Sequence, residues 1–304
     1  MIEKTRLTEE ARKSRVLLNF FLSMLVAYLL FKGGAATGQL IFGPMLRSIS
    51  KSTVFIENQN LIIQFVQLLV FGLISSMLFI WVLAIEGREI ETLGFYRENW
   101  ISKYALGLLI GFLMMSSVVF ILYILGFITV ETKSTQPVGT AALLNISIML
   151  VGWLLQGATE EILTRGWLMN VIGARYNIII GLIVSSVFFG LIHSENPSIN
   201  YVAMINIVLV GILLGLIVIN TGNLWVVCGI HSAWNFAQGN IFGFQVSGNE
   251  VGTGTIVDLN LVGNEVITGG AFGPEAGIVC SFVIVFLIVI MLFVTKRDSL
   301  KNIR

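Results

Sequence analysis

The sequence is poor in charged residues, cysteine and histidine. Only 12% of its 304 residues are charged and 56% are hydrophobic, whereas soluble globular domains carry about 25% charged residues. This composition excludes an ordinary soluble protein and a disordered chain. The 18 basic residues barely exceed the 17 acidic ones, so the chain has no basic surplus for binding nucleic acid. Its two cysteines, Cys228 and Cys280, exclude a disulfide framework or a thiolate zinc site, and we expect both to be packing residues.

Long runs without Asp, Glu, Lys or Arg dominate the chain. Because a bilayer core about 30 Å thick requires roughly 20 apolar residues per helix, these runs predict an all-α, polytopic membrane protein. The pairs Gly107-x-x-x-Gly111 and Gly211-x-x-x-Gly215 predict close helix packing. Eight transmembrane helices are predicted, the fifth and seventh short enough to be buried behind others: Val16–Phe31, Leu61–Ile85, Tyr104–Val130, Ala141–Thr159, Ile178–Ile192, Tyr201–Ile219, Asn223–Gln238 and Ala276–Thr295.

The basic residues are unevenly distributed between the two sides of the membrane. With the N-terminus inside, 14 of the 18 fall on the inner side, and the positive-inside rule then predicts that both termini are cytoplasmic. No repeat or linker divides the chain, so we expect residues 1–304 to form a single membrane domain. For the glycine-rich connection of residues 239–273, a lid or re-entrant segment and a plain solvated loop both remain open.

Polar residues whose side chains can take part in catalysis or ligand binding lie within or beside these apolar runs. Ionisable side chains in spans are costly and by default indicate function. Asn235 follows His231 by four residues, so both project from one face of a helix, and Phe189 and His193 repeat this spacing. The ionisable residues concerned are Glu160, Glu161, Arg165, His193 and His231.

The depths of these residues in the membrane are similar. If the fourth span continues as helix to a turn at residues 175–177, Glu160 and His193 each lie 16 to 17 residues from that turn, or about 25 Å. His231 and Asn235 lie about 15 and 20 Å from the turn at residues 220–222, on the same membrane side. The sequence therefore predicts that all four side chains reach one intramembrane catalytic pocket.

A carboxylate, two imidazoles and a carboxamide in one buried pocket can catalyse hydrolysis. The carboxylate suits a general base, and His231 and Asn235 can donate hydrogen bonds to an oxyanion. The alternative is zinc bound by Glu160, His193 and His231, although these come from three helices rather than one His-x-x-x-His turn. Glu161 and Arg165 have the spacing of an ion pair. Purely structural interpretations, as interfacial or interhelical hydrogen-bonding residues, also remain open.

The three motifs together resemble those of a known family. Glu160-Glu161-x-x-x-Arg165, Phe189-x-x-x-His193 and His231-x-x-x-Asn235, in this order, resemble the CPBP family of intramembrane proteases, which includes the eukaryotic CAAX prenyl endopeptidase and bacterial Abi proteins. The resemblance covers residues 141–238, the expected catalytic core helices. The tail at residues 268–275 is similar to a bacterial branch of the family.

The resemblance implies a role for each motif residue. Glu160 would activate water, His193 would assist it, and His231 with Asn235 would form the oxyanion site, while Glu161, Arg165 and Phe189 would support them. We favour a metal-free mechanism and expect no cofactor, with a divalent metal such as zinc as the alternative.

These observations predict an intramembrane endopeptidase in a bacterial plasma membrane. Its expected partners are the lipid bilayer and a membrane-associated or lipidated peptide or small protein. A non-catalytic scaffold on the same fold is the alternative, and a proton-coupled transporter is disfavoured because inverted repeats are not found. The depth count places the pocket nearer the non-cytoplasmic face, whereas the family's prenyl endopeptidase is thought to receive substrate from the cytosol, so the side of entry stays open.

Overall fold

The computed structural model describes residues 5–301, with side chains described as far as Thr295. The predicted domain covers residues 1–304, and its two ends, residues 1–4 and 302–304, lie outside the described residues. The described chain is mainly helical. Its α-helices are α1 (Arg6–Arg12), α2 (Phe20–Ile49), α3 (Thr53–Glu57), α4 (Gln59–Ile80), α5 (Trp100–Ile124), α6 (Leu143–Glu161), α7 (Met169–Arg175), α8 (Ile178–Ile192), α9 (Tyr201–Thr221), α10 (Trp225–Phe236), α11 (Glu265–Thr268) and α12 (Ile278–Lys301).

Helices occupy most of each of the eight predicted spans, which confirms the all-α membrane class. The prediction Tyr104–Val130 is wrong at its end, because the helix stops at Ile124 and Ile128–Val130 form a short β-strand. Within the described residues, six stretches are long and apolar enough to cross a bilayer: Phe20–Ile49, Gln59–Glu86, Trp100–Ile124, Gly139–Arg175, Tyr201–Thr221 and Ile278–Thr295. The remaining two predicted spans are α8 and α10, which are shorter. Nearly all residues of α10 are buried, as expected for a short span behind other helices. The same expectation is wrong for α8, which exposes Ile179, Ile183 and Leu191 on one face.

The first span is longer than the sequence indicated. The prediction ended it at Phe31, but α2 continues as far as Ile49. Gly34 lies against α4, where a Cβ atom would approach Ile74 Cγ1 to 2.5 Å, so the glycines allow two helix backbones to pack closely. Lys32 lies within the helix, and its ammonium group pairs with Glu195 at 2.6 Å.

Close glycine contacts fix α10 between α5 and α6. A Cβ atom on Gly111 would lie 2.1 Å from the Ile230 carbonyl oxygen, and one on Gly157 would lie 2.6 Å from the Ser232 nitrogen. Gly211 is similarly pressed against Ser186. The predicted glycine packing is therefore confirmed, and it holds the helix that carries His231 at the centre of the bundle.

The predicted hairpin between the fourth and fifth spans is also present. The helix runs without a break from Gly139 to Arg175, with π-helical geometry over Ile162–Leu168. Asn177 then begins α8 by accepting a hydrogen bond from the Ile180 N–H. This hairpin brings the end of α6 and the end of α8 to similar depth.

The glycine-rich connection is packed against the helix bundle. Within it, strand β2 (Leu259–Leu261) pairs antiparallel with strand β1 (Ile128–Val130), which follows α5. The Trp153 indole donates to Asn240 Oδ1 at 2.7 Å, and Asn240 Nδ2 donates to the Thr253 hydroxyl at 3.0 Å. These contacts fasten the segment to α6 and place residues 245–249 beside the histidines.

Candidate active site

The site begins at the end of α6, where the backbone changes from α- to π-helical geometry. Glu160 and Glu161 are the last two residues of α6, and the π-helical turn follows at once. Such turns are rare and occur frequently at functional sites. Glu160 is 3% exposed, and Glu161 and Arg165 are fully buried, so these ionisable groups are shielded from solvent.

Glu161 connects the predicted ion pair to the second histidine. Its Oε1 atom accepts a hydrogen bond from Arg165 Nη1 at 3.0 Å, so the expected pair is present. The same oxygen lies 2.8 Å from His231 Nδ1. Because a carboxylate accepts, Nδ1 of His231 carries a proton, and its Nε2 atom points elsewhere.

Two imidazoles flank one oxygen of Glu160. Its Oε2 atom lies 3.4 Å from His231 Nε2 and 3.9 Å from His193 Nε2. His193 Nδ1 donates to the Phe189 carbonyl at 2.8 Å, which directs its Nε2 atom toward the carboxylate. Among the described residues, no group makes a hydrogen bond of acceptable geometry to this buried oxygen. A buried polar atom of this kind calls for a further partner, such as water.

Asn235 is oriented by a residue that the sequence reasoning missed. Asn235 Nδ2 donates to Gln156 Oε1 at 2.8 Å, and both side chains are buried. Gln156 lies one helical turn before Glu160, on the same face of α6. Its signal was an amide within a predicted span, four residues before the motif glutamate. One amide hydrogen of Asn235 is used in this contact, and the other remains for a ligand.

The four predicted catalytic residues line two adjoining cavities. The smaller has a volume of about 50 Å³ and an apolar wall that includes Val210 and Leu214. The larger, of about 260 Å³, is bordered by amide side chains such as Gln67 and Asn196. Five residues belong to both cavities: Gln156, Glu160, His193, Asn235 and Ser247. The Glu160 carboxylate and the His193 imidazole therefore lie where the smaller cavity meets the larger one, whereas His231 lines only the smaller cavity.

A second acidic residue lines the smaller cavity from outside the motif helices. Glu275 precedes α12, and its Oε1 atom accepts hydrogen bonds from the Ser247 N–H at 2.5 Å and from Gln238 Nε2 at 3.1 Å. Burial raises the pKa of the Glu275 carboxyl, although these hydrogen bonds and His193 oppose the shift. The sequence signal was the tail at residues 268–275, from which no role had been assigned to Glu275.

The zinc alternative named Glu160, His193 and His231 as ligands. Both Nε2 atoms and one carboxylate oxygen converge, and each Nδ1 atom is held by an oxygen acceptor, as in many metal sites. However, the described part of the chain contains no group of three His, Cys, Asp or Glu side chains placed to hold a metal ion. We therefore derive no catalytic step through a metal.

The segment that carries these motifs matches a protein family. Residues 141–237 match the family model described as Rce1-like, type II CAAX prenyl endopeptidase. The match covers about a third of the chain and includes all three motifs, which confirms the family resemblance. Neither the curated proteins nor the solved structures yield a match to the chain.

Proposed function

We propose that this protein is an intramembrane endopeptidase, because the segment that carries the site matches the Rce1-like CAAX prenyl endopeptidase family. It hydrolyses a peptide bond in a membrane-associated or lipidated peptide by a water molecule that Glu160 activates. The observation that carries this proposal is the Oε2 atom of Glu160, which is buried without a hydrogen-bond partner among the described residues and is flanked by two imidazole Nε2 atoms.

Glu160 acts as the general base. A water molecule in the smaller cavity donates one proton to the Glu160 carboxylate while its oxygen attacks the scissile carbonyl carbon. His193, whose Nδ1 proton is committed to the Phe189 carbonyl, presents an Nε2 lone pair that holds the water. When the carbon–nitrogen bond breaks, the proton taken up by Glu160 passes to the departing amine, so the overall step consumes only water.

His231 and Asn235 stabilise the oxyanion that develops on the scissile carbonyl. Asn235 offers its remaining amide hydrogen, in an orientation set by Gln156. His231 donates from Nε2 when it carries a second proton, and the neighbouring Glu160 and Glu161 carboxylates balance that positive charge. Donors fixed in a dry site are worth more than in water because they need no reorganisation.

The orientation in the membrane follows from charge. We propose that both termini are cytoplasmic, in a bacterial plasma membrane. The larger cavity includes Gln64, near the start of α4, and Asn196, just after α8. Both positions are at the ends of helices opposite the basic N-terminal segment, so substrate enters from the non-cytoplasmic side.

The proposal is tested with purified protein in detergent and internally quenched peptide pools. Glu160→Gln should lower kcat by about 100-fold or more, as expected for loss of a general base. Glu57→Gln is the matched control, because Glu57 is exposed on α3 away from the cavities. Size-exclusion profiles and thermal midpoints check folding. An unchanged rate in Glu160→Gln would refute the mechanism.

Two further outcomes separate the alternatives. Complete lack of peptide cleavage by the folded wild-type protein would favour the non-catalytic scaffold. Loss of cleavage after treatment with a chelator, restored by zinc, would favour the metal alternative over water activated by Glu160 alone.

A further inference from the structure

Glu275 is held firmly at the wall of the smaller cavity. Its carboxyl group accepts from the Ser247 N–H and from Gln238 Nε2, and its backbone carbonyl accepts from Asn206 Nδ2 at 2.8 Å. Asn196 Nδ2, three residues after His193, donates to the Ser247 carbonyl at 3.0 Å. These contacts thus connect the loop that follows His193 to Ser247, whose backbone N–H holds the Glu275 carboxyl group.

The hydrogen-bond donors around the Glu275 carboxyl group are neutral. Ser247 and Gln238 supply them, and His193 is the ionisable group that acts on the carboxyl from nearby. In the part of the chain that the structure describes, no lysine or arginine lines either cavity. Arg165 is committed elsewhere, to Glu161 and to the Phe189 ring, 4.3 Å from the ring centre.

The smaller cavity therefore has two carboxyl groups, Glu160 and Glu275, and no lysine or arginine in its lining, and its two imidazoles, on His193 and His231, lie near Glu160. A carboxylate removed from water requires a countercharge or keeps a proton. The raised pKa of Glu275 agrees with a group that lacks a fixed counterion. A ligand that brings a positive charge would supply what the protein omits.

We propose that Glu275 binds a primary ammonium group of the substrate peptide and so selects for a positive charge close to the cleaved bond. The ammonium donates hydrogen bonds to the carboxylate, beside the Ser247 N–H. The apolar wall of Val210 and Leu214 accommodates the adjoining methylene groups. That the amine belongs to a substrate rests on the proposed protease function, whereas the ammonium site itself does not.

The site is tested by binding, without any need for cleavage. The full-length protein in detergent is titrated with butylamine, and with butan-1-ol as an uncharged probe of the same chain length, with thermal shift as the measurement. The wild type should bind butylammonium about tenfold more tightly than the alcohol, in line with a charged hydrogen bond. Equal affinity for the two probes in the wild type would overturn the proposal.

Variants assign the preference to Glu275. Glu275→Gln should abolish the tenfold preference, and Glu275→Asp, which keeps the charge, should retain part of it even if the amide variant folds poorly. Glu250→Gln is the matched control, because Glu250 is an exposed acid of the same glycine-rich segment. A preference that survives in Glu275→Gln but disappears in Glu160→Gln would show that the ammonium binds at Glu160 instead.

Competition identifies the source of the amine. Short peptides that contain lysine or acetyl-lysine, each with a free or an acetylated N-terminus, are tested for displacement of butylammonium. Displacement that requires unmodified lysine assigns the site to a side chain, and displacement that requires the free terminus assigns it to the α-amino group. Displacement by the doubly acetylated peptide at equal strength would contradict selection for a positive charge.

Discussion

His231 Nδ1 and Arg165 Nη1 share a single acceptor, the Oε1 atom of Glu161, at 2.8 and 3.0 Å. This arrangement explains why two consecutive glutamates stand at the end of α6. Glu160 faces the cavity, whereas Glu161 faces the imidazole and the guanidinium. Glu161 therefore does more than pair with Arg165. It also fixes which nitrogen of His231 carries the proton and how the imidazole ring is oriented.

Glu161→Gln should reduce both stability and catalysis. The variant leaves Arg165 as a buried charge without its counterion, which costs about 3–5 kcal/mol in the free energy of unfolding. The double variant Glu161→Gln/Arg165→Gln should regain much of the thermal midpoint but not the peptidase rate. Recovery of full activity in the double variant would contradict the role of Glu161 in orienting His231.

Gln156 and Asn235 should behave as one unit in kinetics. Asn235→Ala removes an oxyanion donor and should lower kcat by about 100- to 1,000-fold. Gln156→Ala frees the amide from its orienting contact and should have a smaller effect, and the double variant should be no slower than Asn235→Ala. Gln59→Ala serves as the control, because Gln59 is exposed at the start of α4 and lines neither cavity. Additive losses in the double variant would show that the two residues act independently.

Gly111→Ala should destabilise the bundle by separating α5 from α10. The new Cβ atom would lie 2.1 Å from the Ile230 carbonyl oxygen, and overpacking of this kind costs about 1–3 kcal/mol. Gly43→Ala is the matched control, since no atom from another part of the structure lies within 4 Å of its Cβ position. Thermal midpoints in detergent measure both, and equal midpoints would contradict the close contact.

The Glu275 carboxyl should make stability depend on pH. Its folded-state pKa is raised above 4.5 by burial, so its contribution to stability is present below the unfolded-state pKa and is lost as pH rises through the folded-state value. As pH rises from the unfolded-state pKa to the folded-state pKa, the thermal midpoint of the wild type should therefore fall relative to that of Glu275→Gln. The difference between the two midpoints should level off at higher pH. A parallel pH profile in the two proteins would contradict this assignment.

Asn249→Cys should report which side the larger cavity faces. Asn249 borders that cavity and is exposed, whereas Cys228 and Cys280 are buried. With cytoplasmic termini, a membrane-impermeant maleimide should label this variant in intact cells. Labelling only after the membrane is opened would place the cavity on the cytoplasmic side.

The sequence determined the membrane class, the approximate positions of the helices and the three motifs. An uncharged run that crosses the lipid forms a helix, because each backbone N–H and C=O then finds its hydrogen-bond partner within the same segment. The constant rise per residue then placed Glu160 and His193 at equal depth in a hairpin that the structure contains. These are local properties, readable from the spacing of residues along one or two helices.

Tertiary structure decided the residues that complete the site. Glu161 meets His231 across 70 positions of sequence, Gln156 meets Asn235 across 79, and Glu275 meets Ser247 through a glycine-rich segment without a periodic pattern. The part of α2 beyond Lys32 likewise packs against α4, where Gly34 meets Ile74 and Gly38 meets Val70. Such contacts arise because small residues let particular helices approach one another, and the relative rotation of packed helices is a property of the whole bundle that local spacing does not encode.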